Sequence, residues 1–228
     1  MDGYKMRKSI SLILKAVTVI SAAVGTILSA AGAAGTFMGG KVVLMYFTIQ
    51  SNIGIALICA IGAWLLTRGG RIPDVWYLIK LVGTVAITLT GIVFCFVLAP
   101  VLGDKAWNVQ NTLTHVVVPV AAVADMFVTG ARGRISKRSV LWVTLPPIVY
   151  AVYAGIGYVM GWEFSRGKNY PYFFLDWGSD AGALGFTDTL PYMGCVWWIL
   201  AILIFLLAVG YLYRFIIEKI GISYDDRG

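Results

Sequence analysis

Six stretches of this chain are each about the length that spans a bilayer, roughly 20 mostly apolar residues. They run approximately Ser9–Ala30, Val42–Leu66, Trp76–Ala99, Asn111–Val128, Val140–Gly161 and Tyr192–Ile217. Inside lipid no water is available to backbone N–H and C=O groups, so each span must satisfy its own hydrogen bonds as a helix. The predicted fold class is therefore all-α: a polytopic membrane protein built as a six-transmembrane-helix bundle. Composition agrees, with 59% of residues hydrophobic and 13% charged, where a soluble domain is nearer half apolar and about a quarter charged. The 228 residues leave room for one membrane domain over 1–228 and for no sizeable soluble domain.

The net charge of +7 would suggest a nucleic-acid partner in a soluble chain. Here the basic residues fall in short segments between spans, so membrane topology explains them better and no nucleic acid is implied. Lys5, Arg7, Lys8, Arg68, Arg71, Arg132, Arg134, Lys137, Arg138, Arg214, Lys219 and Arg227 collect on one side. Lys41, Lys105, Arg166 and Lys168 lie on the other, and Lys15 and Lys80 fall near span edges. That bias predicts an integral multi-pass plasma-membrane protein with N- and C-termini in the cytoplasm. The first span is basic at its start, but its apolar run exceeds the core of a signal peptide (roughly 7–15 residues), so it reads as a retained helix. Pro146-Pro147 should kink or break the fifth span. The long segment 162–191 lies on the outer side, and its aromatic run Tyr170–Phe174 suits either a lid over the bundle or an interfacial connector.

Cys59, Cys95 and Cys195 form no CxxC pair and fall in or at the ends of spans, which fits small buried packing residues. With a single histidine in the chain, a Cys/His metal site is not expected, and neither metal nor cofactor is predicted.

The lone histidine, His115, sits inside the fourth span, where an ionisable group is a functional candidate because placing it there is costly. A polar stripe, Thr48, Ser51 and Asn52, interrupts the second span at i, i+3 and i+4 spacing. Counting 1.5 Å per residue from the expected helix starts puts Thr48 ~9 Å and His115 ~6 Å into the bundle from the same side. Pro119 cannot donate to the His115 carbonyl, so the helix should bend there with that oxygen freed. Asp125, ~15 Å further along the helix, is expected to meet Arg132 or Arg134 near the cytoplasmic end. Thr, Ser and Asn also serve as polar glue between membrane helices, so packing alone could explain the stripe. The chemistry that fits best is nucleophilic hydrolysis. A threonine hydroxyl becomes a nucleophile when a neutral imidazole takes its proton, and donors from Ser51, Asn52 or Asn111 could hold the oxyanion or the substrate. The expected partners are membrane lipids and a lipid-ester substrate. A non-catalytic lipid-binding or transport bundle would use the same cavity, and haem ligation by His115 is a weaker third reading.

At these residues the chain resembles a known family. Tyr46-Phe47-Thr48-Ile49-Gln50-Ser51-Asn52 resembles the F-T-x-x-S-N signature in the second span of the androgen-induced and androgen-dependent TFPI-regulating protein family. His115-Val116-Val117-Val118-Pro119, followed by Asp125, is similar to the histidine span of its bacterial six-pass branch. Tyr170-Pro171 is similar to a Tyr-Pro element before the last span. Val116 stands where animal members are expected to carry Thr. The resemblance implies a six-helix bundle acting as a threonine hydrolase on fatty acid esters of hydroxy fatty acids. By motif it makes Thr48 and His115 the catalytic pair.

Overall fold

The computed structural model describes residues 3–32, 38–69 and 72–220, and among them six helices are long and apolar enough to cross a membrane. They are α1 (Gly3–Ala30), α2 (Phe47–Arg68), α3 (Asp74–Leu98), α4 (Val109–Thr129), α5 (Arg138–Val159) and α6 (Cys195–Lys219). No strand occurs among the described residues, which contain only two isolated β-bridges. The chain is thus the all-α bundle expected of a multi-pass membrane protein. Arg71 and Arg227, two of the residues that set the charge bias, lie outside the described residues.

Helices α1 to α4 form a closed ring in which α1 packs on α2 and α4, and α3 on α2 and α4. Small side chains make this approach possible. A Cβ added at Gly25 of α1 would lie 2.6 Å from the Thr114 methyl of α4. Helix α6 lies against α3 and the start of α5, while the rest of α5 touches the bundle lightly and buries only Tyr150, Ala154 and Gly157.

Three helices depart from regular α geometry, each close to a proline. In α4 the segment Leu113–Val117 winds as a wider π turn immediately before Pro119. Pro119 has no N–H to offer the His115 carbonyl, so the helix shifts register there. Gly91 of α3 packs against the released carbonyl, and a Cβ at that position would sit 2.9 Å from the His115 oxygen. In α3 the π turn Phe94–Leu98 likewise precedes Pro100. The Pro146-Pro147 pair does not break α5. A 3-10 segment, Arg138–Thr144, runs directly into an α-helix starting at Leu145, and the prolines fall in its first turn, where missing N–H groups cost little.

One boundary differs in a way that matters. Helix α2 begins at Phe47 rather than near Val42. Gly40–Met45 forms a 3-10 turn instead, and Tyr46 is extended at φ −89°, ψ 138°, ending it. Thr48 is therefore in the first turn of α2, not ~9 Å inside it. The segment 162–191 folds back onto this end of the bundle. Phe164, Tyr172, Phe174 and Leu175 are buried with Tyr46 and Tyr150 in one aromatic cluster, and the Tyr46 hydroxyl donates to the Phe164 carbonyl at 2.9 Å.

Candidate functional site

Thr48 and His115 line one cavity of about 60 Å³, together with Thr90, Phe94, Tyr150 and Tyr172. Five helices, α2 to α6, and the returning loop enclose it, and its remaining walls are mostly aliphatic and aromatic. At roughly 10–15 Å³ per water, the space holds a handful of water molecules and nothing the size of a lipid.

His115 is fixed at three points. Its ring stacks on Phe94 with centroids 4.0 Å apart. Its Nδ1 lies 3.0 Å from the Asn111 carbonyl and 2.9 Å from the Thr114 hydroxyl oxygen. A carbonyl can only accept, and the Thr114 hydroxyl spends its hydrogen on the Gln110 carbonyl at 2.8 Å. Nδ1 must therefore carry the proton, which leaves the Nε2 lone pair as the basic position of a neutral ring. The π turn and the i−4 carbonyl set this tautomer through the backbone alone.

Thr48 is held from the other side. Tyr172 Oη accepts from the Thr48 backbone N–H at 3.3 Å and lies 3.4 Å from Thr48 Oγ1. That N–H belongs to the first turn of α2 and has no partner within the helix; its one partner is the Tyr172 hydroxyl, so it can meet a developing negative charge only by giving up that long contact. With Tyr172 Oη accepting from the backbone, its own hydrogen can point at Thr48 Oγ1 or at bound substrate. Burial pushes the Tyr172 phenol above its ordinary range, and hydrogen bonds from Thr48 offset part of that.

No direct hydrogen bond joins Thr48 to His115; the two share a cavity wall, and a water of the size the cavity admits could link them. The other candidates take different roles from those expected. Asn52 is fully buried, and its Nδ2 donates to the Thr48 carbonyl at 2.7 Å and to the Thr114 carbonyl at 3.1 Å. Both donors are thus committed to clamping α2 against α4, so Asn52 is not an oxyanion donor. Asn111 Nδ2 spends one of its two hydrogens on the Ala106 carbonyl at 2.9 Å, which holds the amide there, and Asn111 serves His115 through its backbone oxygen. Ser51 Oγ donates to the Thr48 carbonyl at 3.0 Å and pairs with Thr90 Oγ1 at 2.8 Å, which also removes it as an oxyanion donor. Tyr172, Thr90 and Phe94 went unassigned in the sequence. The Tyr-Pro-Tyr-Phe-Phe run was the visible signal for the first of them.

A second cavity of about 150 Å³ reaches His115 from the loop end of the bundle. It is lined in part by Ser29, Asn108, Gln110 and Asn111, with Phe94, Leu98 and His115 common to both spaces. His115 therefore stands between a polar vestibule and an apolar chamber.

Asp125 corrects the sequence reading outright. Its carboxylate meets Lys15 of α1 at 2.7 Å and Lys80 of α3 at 2.6 Å, not Arg132 or Arg134. Lys15 and Lys80 are buried at 2% exposure each, so they do not sit at the span edges. Ser11 Oγ donates to Asp125 Oδ1 at 2.6 Å and accepts from Lys15 Nζ at 2.6 Å. Thr129 donates to the Asp125 carbonyl at 2.6 Å and accepts from Lys80. Arg134 pairs with Asp74 at 2.7 Å. The cluster ties α1, α3 and α4 together, and none of its charged groups lines a cavity described above.

No family model, no curated protein and no solved structure matches this chain.

Proposed function

We propose that this protein is a membrane-embedded lipid-ester hydrolase in which Thr48 is the nucleophile and His115 the base. The observation that carries this reading is the shared cavity: a hydroxyl on the first turn of a helix faces the same small chamber as a neutral histidine whose Nδ1 proton is fixed by its own backbone. In the proposed reaction Thr48 Oγ attacks the ester carbonyl, and its proton passes to His115 Nε2 directly or through one water. The oxyanion rests against the Tyr172 hydroxyl and the Thr48 N–H. The imidazolium then protonates the departing alcohol oxygen, leaving an acyl-Thr48 ester. Water from the polar vestibule attacks that ester, again giving its proton to His115, and releases the carboxylic acid with Thr48 restored.

The resemblance of the Thr48 and His115 segments to the androgen-induced family leads to the same pair, and to fatty acid esters of hydroxy fatty acids as substrate. The charge bias supports a plasma-membrane protein with cytoplasmic termini and the Thr48 cavity in the outer half.

The test is hydrolysis of a branched fatty acid ester by purified protein, read as release of both acids. Thr48→Ala and His115→Ala should each abolish it, and Thr48→Ser should keep part of it. Full activity in either alanine variant would remove the assignment. A second reading, a non-catalytic lipid-binding bundle, is favoured by one observation: the hydrogen-bond partner of Thr48 Oγ is Tyr172 rather than His115. Co-purified intact ester, with no acyl group ever found on Thr48, would support it.

A further inference from the structure

The cavity that holds Thr48 and His115 is far too small for the acyl chain of any lipid ester. Beside it lies an apolar cleft of about 590 Å³, between α2 and α3 on one side and the loosely packed α5 on the other. It runs from Phe47 to Ile58 along α2, a length of ~16 Å at the helical rise. Its rim residues Ile79, Trp142 and Val149 are exposed and apolar. The cleft runs from the first turn of α2 to its middle, on helices long enough and apolar enough to cross a membrane, so lipid tails are the apolar chains such a cleft would meet.

Cleft and cavity are neighbours with a shared wall. Phe47 and Tyr150 line both, their rings in edge contact with centroids 5.2 Å apart. Tyr150 is pinned by a 3.0 Å hydrogen bond from its hydroxyl to the Met45 carbonyl. Phe47 is held only by packing, so it is the ring that can swing aside. The Ser51–Thr90 hydroxyl pair crosses the same wall, with Ser51 facing the cleft and Thr90 the cavity. A polar ester group at the head of an apolar chain would find the Ser51 and Thr90 hydroxyls at this boundary.

We propose that the α2–α3–α5 cleft binds one acyl chain of a membrane lipid that arrives sideways from the bilayer, with its ester directed past Phe47 to Thr48. The proposal rests on the hydrolase reading for the ester's destination, but the chain site itself can be tested without turnover. Gly54 is the lever, because it lines the cleft and a Cβ there would meet nothing within 4 Å. Larger side chains can thus fill the space from a helical position that disfavours glycine anyway.

The experiment uses the full chain in phosphatidylcholine vesicles with a palmitic acid analogue carrying a mid-chain diazirine. Irradiation should label peptides 47–58 and 142–153. Labelling should fall stepwise through Gly54→Ala, Gly54→Leu and Gly54→Trp, and it should persist in Thr48→Ala. In parallel, the ratio of palmitoyl-ester to acetyl-ester turnover should fall about tenfold or more at Gly54→Trp, since filling a pocket discriminates by chain length. Labelling outside both peptides, or equal labelling across the Gly54 series, overturns the chain site whatever the turnover. Graded labelling without hydrolysis in the parent protein keeps the cleft and removes the hydrolase.

Discussion

Two buried polar centres of the bundle are built on opposite terms. Around Asp125, two lysines, Ser11 and Thr129 saturate one another, and no cavity described here touches the charges. Around Thr48 and His115 the polar groups are sparse, the imidazole keeps one nitrogen uncommitted, and a chamber adjoins them. A saturated network without space can hold helices but cannot meet a ligand. A partly committed one beside a space can do chemistry. Cost alone does not separate them, because both place ionisable groups where lipid penalises them.

The sharpest break of this contrast is Asp125→Ala. It strands two ammonium groups in the bundle, and removing one side of a buried ion pair typically costs about 3–5 kcal/mol. The expected outcome is loss of folded protein on extraction, read by thermal unfolding in detergent. The companion variant replaces Lys15 and Lys80 with Met and Asp125 with Leu. If the cluster only holds helices, the triple variant should regain most of the stability and the hydrolysis, since apolar groups of similar size often substitute for buried ion pairs. A stable triple variant with no hydrolysis would move the cluster into the functional machinery.

His115→Ala and Thr48→Ala should invert that pattern. Hydrolysis should fall by about 10²–10⁴-fold or vanish for the histidine, the usual worth of a positioned base. Melting should shift far less than for Asp125→Ala. If either alanine variant instead unfolds like Asp125→Ala, the two centres are not different in kind.

Tyr172→Phe comes next. It removes the one side-chain hydrogen that can reach Thr48 Oγ or an oxyanion, and kcat should drop by about 10²-fold with KM little changed, as for a lost oxyanion donor. Burial raises the phenol pKa, so the neutral, donating form persists as pH rises through 10. Activity that falls below pH 10 in the parent protein and stays level in Tyr172→Phe would contradict that role.

These two centres were not equally legible in the sequence. Span count and helical class followed from hydropathy, and residue counting put Thr48 and His115 at the same side of the bundle, since each signal acts along a single helix; the depth counted for Thr48 was wrong, and the pairing itself came from the resemblance. The Asp125 partners did not follow. Lys15 and Lys80 read as edge residues from their positions in the expected spans, and only the packing of α1 and α3 on α4 shows that they turn inward. Thr48's place in the first turn depends on Tyr46 being extended, and the apolar run through Val42–Met45 conceals that break. Tyr172 reaches the site by the return of a 30-residue loop, a contact that no local pattern announces.

Asn111→Ala carries the smallest expected effect and the finest distinction. The sequence offered Asn111 as a donor to substrate, whereas the structure commits its amide to the Ala106 carbonyl and uses its backbone oxygen to hold the His115 tautomer. Truncation keeps that oxygen in place. The variant should lose about 0.5–1.5 kcal/mol of stability, the net worth of one hydrogen bond, and its kcat should stay within about twofold of the parent, because a committed donor contributes no transition-state contact. A hundredfold fall in kcat at unchanged melting would mean that the amide leaves Ala106 during turnover. The histidine side of the cavity would then supply an oxyanion donor as well as the base.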